Sequence, residues 1–243
     1  SEAAAARAEL AAPDLSALTR LRLGMIEDFD ADVTPRLLTE MSHELTQAQF
    51  LLETGASHRL YDLLENRALD VIVAAEAGEA PSEGMDVHPL LEEPFVAAVA
   101  RGALDGAPDP AAALAALPLI RYTSRHLMGR QIDAHLARQD LRLSHRFELD
   151  SYHAILAMVA AGVGWTILTP LGYLRAQRFR DAVALHPLPV APFSRRICLT
   201  ARDVGLRDMP ARLAQRLRPI LSDLTVGPAT ERWPWLTDGL RVL

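Results

Sequence analysis

Apolar residues in the first third of the chain follow two alternating spacings. Continuous or near-continuous apolar runs at 21–26, 49–54 and 69–75 predict three strands, and the last, "LDVIVAA", is typical of a parallel strand buried on both faces. Between them, apolar positions three and four residues apart predict helices at 33–45 and 57–66. This order predicts a β-α-β-α-β unit with a parallel sheet.

The same order recurs in the second half of the chain. Strands and helices are predicted alternately at 118–123, 126–139, 145–149, 151–161 and 165–169. A final strand at 195–201 and a helix at 210–224 follow the second unit in the sequence but resemble the elements of the first unit. The pattern therefore predicts an α/β protein with two Rossmann-like subdomains, joined by two crossover strands near 95–100 and 190–200.

Polar residues lie in the loops that connect the C-terminal ends of these strands to the following helices. Each such loop is called a corner. Parallel sheets bind ligands beyond the C-terminal ends of their strands, so two facing lobes would enclose a cleft lined by these corners. The corner residues are Glu27, Asp28, Phe29, Thr54 and Ser57 in the first unit, and Thr123, Ser124, Arg125, Asp150 and Ser151 in the second. Any single Ser or Thr there is more often a plain helix N-cap than a ligand contact. Four polar corners at matching positions favour a ligand site.

The amino-acid composition excludes several kinds of binding and catalytic chemistry. The 243 residues are half hydrophobic, as in a globular protein, and carry a net charge of −6, which argues against direct nucleic-acid binding by this chain. All 25 basic residues are Arg, so lysine chemistry such as a Schiff base or a P-loop is excluded. The single Cys198 lies in an apolar run and is expected to be a buried structural thiol, which fits a reducing cytoplasm.

Motifs for catalysis, cofactors or metals are not found in the sequence. There is no G-x-S-x-G elbow, and His43-Glu44 is not followed by a His at zinc-binding spacing. Gly162-Val163-Gly164 comes after a helix and before a strand, the reverse of the dinucleotide-binding order, and indicates a plain turn. We therefore predict no catalytic residue, no cofactor and no metal site.

Taken in order, several segments resemble the effector-binding domain of LysR-type transcriptional regulators. They are "RLRLGMI", "TPRLLTEM", "LLETGASHRLYDLLENRALDVIVA", "PLIRYTS" and above all "DSYHAILAMVAAGVGWTILTP". The resemblance implies the type 2 periplasmic-binding-protein-like fold, a small-molecule effector bound between the lobes, and transcriptional control. It also implies a cytoplasmic homodimer, tetrameric at full length, that contacts no membrane. DNA would be bound only through an upstream helix-turn-helix domain absent from this chain.

The resemblance also implies a domain division and site residues. Residues 1–19 would end a linker helix and its linker, 20–97 with 193–226 would form subdomain I, 98–192 subdomain II, and 227–243 a C-terminal tail. Effector contacts would come from Ile26 to Phe29, Thr54, Ser57, Thr123 to Arg125, Ser151, Thr169 and Pro170. The family usually has small Ser or Thr residues at the first corner, where this chain has Glu27-Asp28. An effector whose carboxylate binds at that corner is therefore in doubt.

Two other classes of protein share a bilobal fold. A solute-binding protein of a transporter is the main alternative, although "SEAAAARAEL" lacks the basic and apolar segments of a secretory leader. A small bilobal enzyme is disfavoured, because no acid–base constellation is visible. An upstream helix-turn-helix would indicate the regulator, and a secretory leader the transporter.

Overall fold

The computed structural model describes residues 19–78, 84–141, 143–202 and 205–243. The predicted linker lies outside these ranges except for Thr19. The strands are β1 (Arg20–Ile26), β2 (Gln49–Gly55), β3 (Val71–Ala75), β4 (Met85–Pro94), β5 (Val96–Ala100), β6 (Leu119–Tyr122), β7 (His145–Leu149), β8 (Thr166–Leu168), β9 (Val183–His186), β10 (Ser194–Arg202) and β11 (Arg241–Val242). The α-helices are α1 (Val33–Glu44), α2 (Ser57–Glu65), α3 (Pro110–Ala115), α4 (Leu127–Arg138), α5 (Tyr152–Ala160), α6 (Pro170–Arg175), α7 (Met209–Leu221) and α8 (Gly227–Arg232).

The first lobe is built on a six-stranded sheet of order β11-β4-β10-β3-β1-β2. Strand β1 pairs in parallel with both β2 and β3, which confirms the predicted β-α-β-α-β unit. All five residues of β3 are buried, as its continuous apolar run indicates. Strand β10 returns antiparallel to β3, so the end of the chain completes the sheet that its beginning started.

The second lobe repeats this arrangement with a smaller sheet. Strands β6 and β7 are parallel, and β5 lies antiparallel between β8 and β9. A parallel bridge between Leu119 and Trp165, with the N–H of Ile120 donating to the Trp165 carbonyl (2.8 Å), connects these pieces. The predicted α/β fold with two Rossmann-like subdomains is therefore confirmed.

The two crossings between the lobes touch each other. The chain leaves the first sheet at the end of β4 and enters the second at β5, with Phe95 between them. It returns between β9 and β10, where the ring of Phe193 stacks on Phe95 with centroids 4.1 Å apart. The N–H of Phe95 donates to the Phe193 carbonyl (2.9 Å). This pairing makes the crossings a double hinge.

Several elements were not predicted from the pattern. Helix α6 begins at Pro170, where the missing N–H of proline costs nothing. Helix α3 follows Asp109, which is its N-cap. Strands β9 and β11 and the first part of β4 were also missed. Residues 227–243 add β11 to the edge of the first sheet.

Of the corner serines that could be helix N-caps, one has this role and one does not. Ser57 is the first residue of α2 rather than its N-cap, and its Oγ instead accepts a hydrogen bond from the N–H of Ala75 (3.0 Å). Ser151 is the N-cap of α5, because its Oγ accepts from the N–H of Ala154. Cys198 is buried, as predicted.

The Gly162-Val163-Gly164 turn allows two backbone segments to pack closely. Gly162 ends α5 with a positive φ of 75° and open space around it. At Gly164 a Cβ atom would lie only 2.2 Å from the carbonyl oxygen of Pro118, so only glycine fits beneath β6. Next to it, the fully buried Trp165 donates its indole N–H to the Leu117 carbonyl (3.1 Å).

We expect Gly164→Ala to lower the free energy of unfolding by about 3 kcal/mol or more, because the backbone of Pro118 would have to move. Gly162→Ala is the matched control, for which the left-handed conformation alone predicts a loss of about 1 kcal/mol. Urea unfolding followed by circular dichroism measures both. Equal losses would contradict the close packing at Gly164.

Candidate functional site

A cavity lies between the lobes where the C-terminal ends of β1, β2 and β3 face those of β6 and β7. Its volume, including the part open to solvent, is ≈ 560 Å³. The first lobe contributes Ile26, Glu27, Asp28, Gly55, Ala56, Ser57, Ala75 and Arg195 to its wall. The second lobe contributes Tyr122, His126, Leu127, Met128, Asp150, Tyr152 and Arg175. This cavity, with its fifteen wall residues, is the interlobe cleft.

A buried ionic network forms the floor of the interlobe cleft. Arg195 in β10 donates from Nε to Glu93 Oε1 (2.6 Å), and from Nη2 to Asp28 Oδ2 (2.8 Å) and Thr169 Oγ1 (3.3 Å). The second carboxylate oxygen of Glu93 accepts from the N–H of Leu171 in α6 (3.2 Å). The network therefore joins both hinge strands, the corner after β1 and the second lobe.

The charges of this floor are held in low-dielectric surroundings. The side chains of Arg195, Asp28 and Glu93 are 5%, 8% and 0% exposed. Burial raises the pKa of Glu93, although Arg195 opposes the shift. Burial would lower the pKa of Arg195, but the attraction of Glu93 and Asp28 outweighs it and holds this pKa above its usual value. The guanidinium thus stays charged beside two carboxyl groups.

Two further contacts cross the cleft nearer to solvent. Arg175 in α6 donates to Glu27 Oε2 (2.8 Å), and both side chains are partly exposed. The rings of His58 in α2 and His126 before α4 lie with centroids 5.0 Å apart. Burial lowers the pKa of His126, and His58 acts in the same direction, whereas Asp150 and Glu27 oppose the shift. These contacts connect the two lobes at the rim of the cleft.

Two tyrosines line the wall contributed by the second lobe. The rings of Tyr122 and Tyr152 lie with centroids 5.1 Å apart, and Tyr152 donates its hydroxyl to Met128 Sδ (2.6 Å). Burial raises the pKa of Tyr122 to about 12, and Asp28 and Glu27 add to the shift. Both phenols are therefore neutral at physiological pH.

Helices α2 and α4 begin at the cleft without a side-chain cap. Ala56 and His126 are their N-cap residues, and neither side chain accepts a bond from the first turn. The first N–H groups of a helix need an acceptor, and none is provided there by a capping side chain. In contrast, Ser151 caps α5 and Thr169 caps α6. The two uncapped helix starts can serve acceptor atoms of a ligand.

The structure brings together five of the thirteen predicted site residues. Ile26, Glu27, Asp28, Ser57 and Asp150 lie in the wall of the cleft.

The other eight have different positions. Phe29 is fully buried in the core, Thr54 and Ser124 are exposed outside the cleft wall, and Arg125 lies 3.7 Å from Asp150 at the surface. Thr123 is buried and donates to Glu148 Oε1 (2.9 Å). Ser151, Thr169 and Pro170 form the starts of α5 and α6. An effector contact for these residues stays a prediction.

Sequence reasoning missed the aromatic and basic parts of the wall. Tyr122 directly precedes the predicted Thr123, so the strand end carried a signal for it. Arg195 opens the apolar run "RRICLTA", where a charged residue in a hinge strand was the available signal. Arg175 had none, because α6 itself was not predicted.

No group of three or more His, Cys, Asp or Glu residues is placed to hold a metal ion in the part of the chain that the structure describes. None of the described helices is both long and apolar enough to cross a membrane.

The two lobes, the double crossing and the cleft define the class: a bilobal α/β ligand-binding protein of the periplasmic-binding-protein-like type 2 arrangement. The LysR substrate binding domain model matches residues 16–217. The chain belongs to this family, whose domain is the effector-binding part of LysR-type transcriptional regulators.

Relatives and solved structures agree with this assignment. The chain is similar to the malonate utilization transcriptional regulator of Klebsiella pneumoniae, with 29% identity over 161 residues, 61% of this chain and 49% of the relative. It thus spans about half the length of this curated relative.

Three solved structures share the fold. The reduced regulatory domain of OxyR2 from Vibrio vulnificus has a TM-score of 0.68 at 20% identity, covering 84% of this chain and 96% of that one. A hydrogen-peroxide-bound OxyR mutant from Corynebacterium glutamicum has a TM-score of 0.71 at 23% identity, covering 95% and 74%. The effector-binding domain of QuiR in complex with shikimate has a TM-score of 0.64 at 15% identity, covering 83% and 96%.

We expect Arg195→Met to destabilise the protein by about 3–5 kcal/mol, because it leaves two buried carboxylates without their cation. Arg59→Met is the matched control. It removes an exposed pair with Glu53, for which we expect a loss of about 1 kcal/mol or less. Chemical unfolding of the two variants measures the difference. A loss in Arg195→Met as small as in the control would show that the floor network does not stabilise the fold.

Stability is expected to fall as the pH drops from about 7 to 5, because His126 has a lowered pKa and the unfolded chain binds its proton first. His126→Gln should flatten this dependence. Melting temperatures across this pH range provide the measurement, and His43→Gln, which changes an exposed histidine of α1, is the control. An unchanged slope in His126→Gln would remove this histidine from the pH response.

Proposed function

We propose that this chain is the effector-sensing and oligomerisation domain of a LysR-type regulator, and that its effector binds in the interlobe cleft. The observation that carries the proposal is the composition of the cleft wall, to which both lobes contribute directly. A small molecule that contacts both walls binds the closed arrangement better than an open one. It therefore shifts the balance between them.

The cleft has the features expected of an inducer site. It lies at the C-terminal ends of the parallel strands of both lobes, where α/β proteins bind ligands. Its wall combines apolar and aromatic surface with a few polar groups, as small-molecule sites do. The proposed role requires binding and closure and no catalytic step. Family membership favours the regulator over the solute-binding protein of a transporter.

The oligomerisation role is supported by two uncovered sheet edges. Strand β2 is the edge of the first sheet, and its Leu51 is 44% exposed. Strand β7 is the edge of the second-lobe pair β6-β7, and its Phe147 is 36% exposed. An uncovered edge with apolar side chains is a surface for pairing. We propose that β2 and α1 of one subunit cover the second lobe of the other in an antiparallel homodimer, and that the full-length protein is a tetramer.

The complete regulator is proposed to act in the cytoplasm and to bind DNA through an upstream helix-turn-helix domain. Its curated relative is about twice as long as the matched region, which leaves room for such a domain. The net charge of −6 on this chain fits a role in sensing rather than in holding phosphates. Closure of the cleft would change the arrangement of the subunits, and this change would alter how the regulator binds promoter DNA.

Ala56→Phe should fill the cleft and weaken binding of any effector by at least about tenfold, since a phenyl ring occupies the ligand volume. The matched control is Ala112→Phe, a change at an exposed position of α3 outside the cleft wall, where affinity is expected to stay within about twofold. A metabolite library screened by thermal shift identifies binders, and calorimetry measures both variants. Equal affinity of Ala56→Phe and the unmodified protein would place the effector elsewhere.

A further inference from the structure

We propose that the effector carries a cationic nitrogen, an amine or amidine, which Asp28 and Glu27 bind against the rings of Tyr122 and Tyr152. This inference rests on the proposed effector site and adds the charge of its ligand. Four properties of the cleft support it: the pairing of its arginines, the free oxygens of its carboxylates, its aromatic wall and its helix starts.

The arginines at the cleft already have carboxylate partners within the chain. The pairs are Arg175–Glu27 (2.8 Å), Arg195–Glu93 (2.6 Å), Arg195–Asp28 (2.8 Å) and, at the rim, Arg125–Asp150 (3.7 Å). Four carboxyl groups thus face three guanidinium groups, and the sequence contains no lysine. An anionic effector would have to share each guanidinium of the cleft wall with a carboxylate that is already bound to it. A cationic effector balances the excess of negative charge.

Each acidic residue of the first corner keeps an oxygen for a ligand. Asp28 lines the cleft, yet the hydrogen bonds of the described residues reach only its Oδ2. Glu27 likewise accepts only at Oε2 from the residues that the structure describes. The second oxygen of each carboxylate can therefore accept from a ligand that enters the cleft. An ammonium group has three donors and no acceptor, so it suits such oxygens.

The aromatic wall attracts the same type of group. Cations bind favourably over the faces of tyrosine rings, and Tyr122 and Tyr152 both line the cleft. Burial raises the pKa of Tyr122 first, and Asp28 and Glu27 add to the shift. Arg175 and Arg195 act on this pKa in the opposite direction. A cation held between the ring and the two carboxylates is attracted by both.

The opposite end of such an effector can use the uncapped starts of α2 and α4. Their first N–H groups suit acceptor oxygens, such as those of a hydroxyl or carboxylate. The ligand class is therefore a small amine or amidine that also carries acceptor oxygens, with amino acids as the simplest members. The cationic nitrogen is the part that this proposal requires.

Matched probes that differ in one charged end test the proposal. β-Alanine and succinate form one pair, and γ-aminobutyrate and glutarate form another; agmatine and putrescine are added as cations without a carboxylate. Binding to the protein is measured by calorimetry and thermal shift at pH 7.5. We expect at least one amine to bind at least about tenfold more tightly than any dicarboxylate, because hydrogen bonds between an ammonium group and a carboxylate are charge-assisted.

Two variants separate recognition from lobe closure. Glu27→Gln and Arg175→Gln break the same interlobe ion pair, but only the first removes a carboxylate. We expect Glu27→Gln to weaken binding of the amine about tenfold, and Arg175→Gln to strengthen it, because Glu27 is then free. Equal weakening in both variants would overturn the role of Glu27 in recognition.

The remaining outcomes separate the charge proposal from the proposed function. Binding of dicarboxylates alone, abolished by Ala56→Phe, would overturn the cationic class and support the effector site. Failure of every amine probe, while the metabolite screen yields only binders without a cationic nitrogen that Ala56→Phe abolishes, would likewise overturn the cationic class and support the effector site. An amine that binds equally well to Ala56→Phe would overturn both, because its site would lie outside the cleft.

Discussion

The burial of Arg195 between Glu93 and Asp28 is the constraint on which the arrangement of the lobes depends. Removing an ion from water costs several kcal/mol, and the cost is recovered only when partners are held in good geometry. Here the partners come from both hinge strands and from the corner after β1, and Glu93 also accepts from the start of α6 in the second lobe. Any large movement at the hinge would expose or unpair these charges. The network therefore fixes the base of the cleft.

The rim is held by weaker interactions. The pair between Glu27 and Arg175 is partly exposed, and such pairs contribute about 1 kcal/mol or less in water. The rings of His58 and His126 also make contact across the rim. The lowered pKa of His126 means that protonation of its ring is disfavoured there. A rigid base with a weakly held rim suits a sensor, because a ligand of modest differential affinity is enough to shift the lobes. The same rim contacts would respond to the charge of that ligand.

Much of the fold could be predicted because its signals are local. The apolar run of β3 and the helical spacing in α4 reflect the side that each element buries, and both are short-range patterns. The sequence was ambiguous where one residue type is compatible with two local structures. Pro170 ends a strand pattern but also suits the first turn of a helix, and Ser57 is a good N-cap whose hydroxyl is used by Ala75 instead. The choice is made by the neighbouring backbone, which the local pattern does not contain.

The sequence by itself determined the order of the strands and helices, the two-lobe division and the chemistry available to the site. Arginine is its only permanent cation, and Glu27-Asp28 stands at the first corner. The tertiary structure decided which charges meet: Arg175 lies 148 positions from Glu27 and Arg195 lies 167 positions from Asp28. Periodicity reports the environment of a residue relative to its own element and carries no information about partners so distant in the chain. The charge balance of the cleft therefore follows only from the folded arrangement.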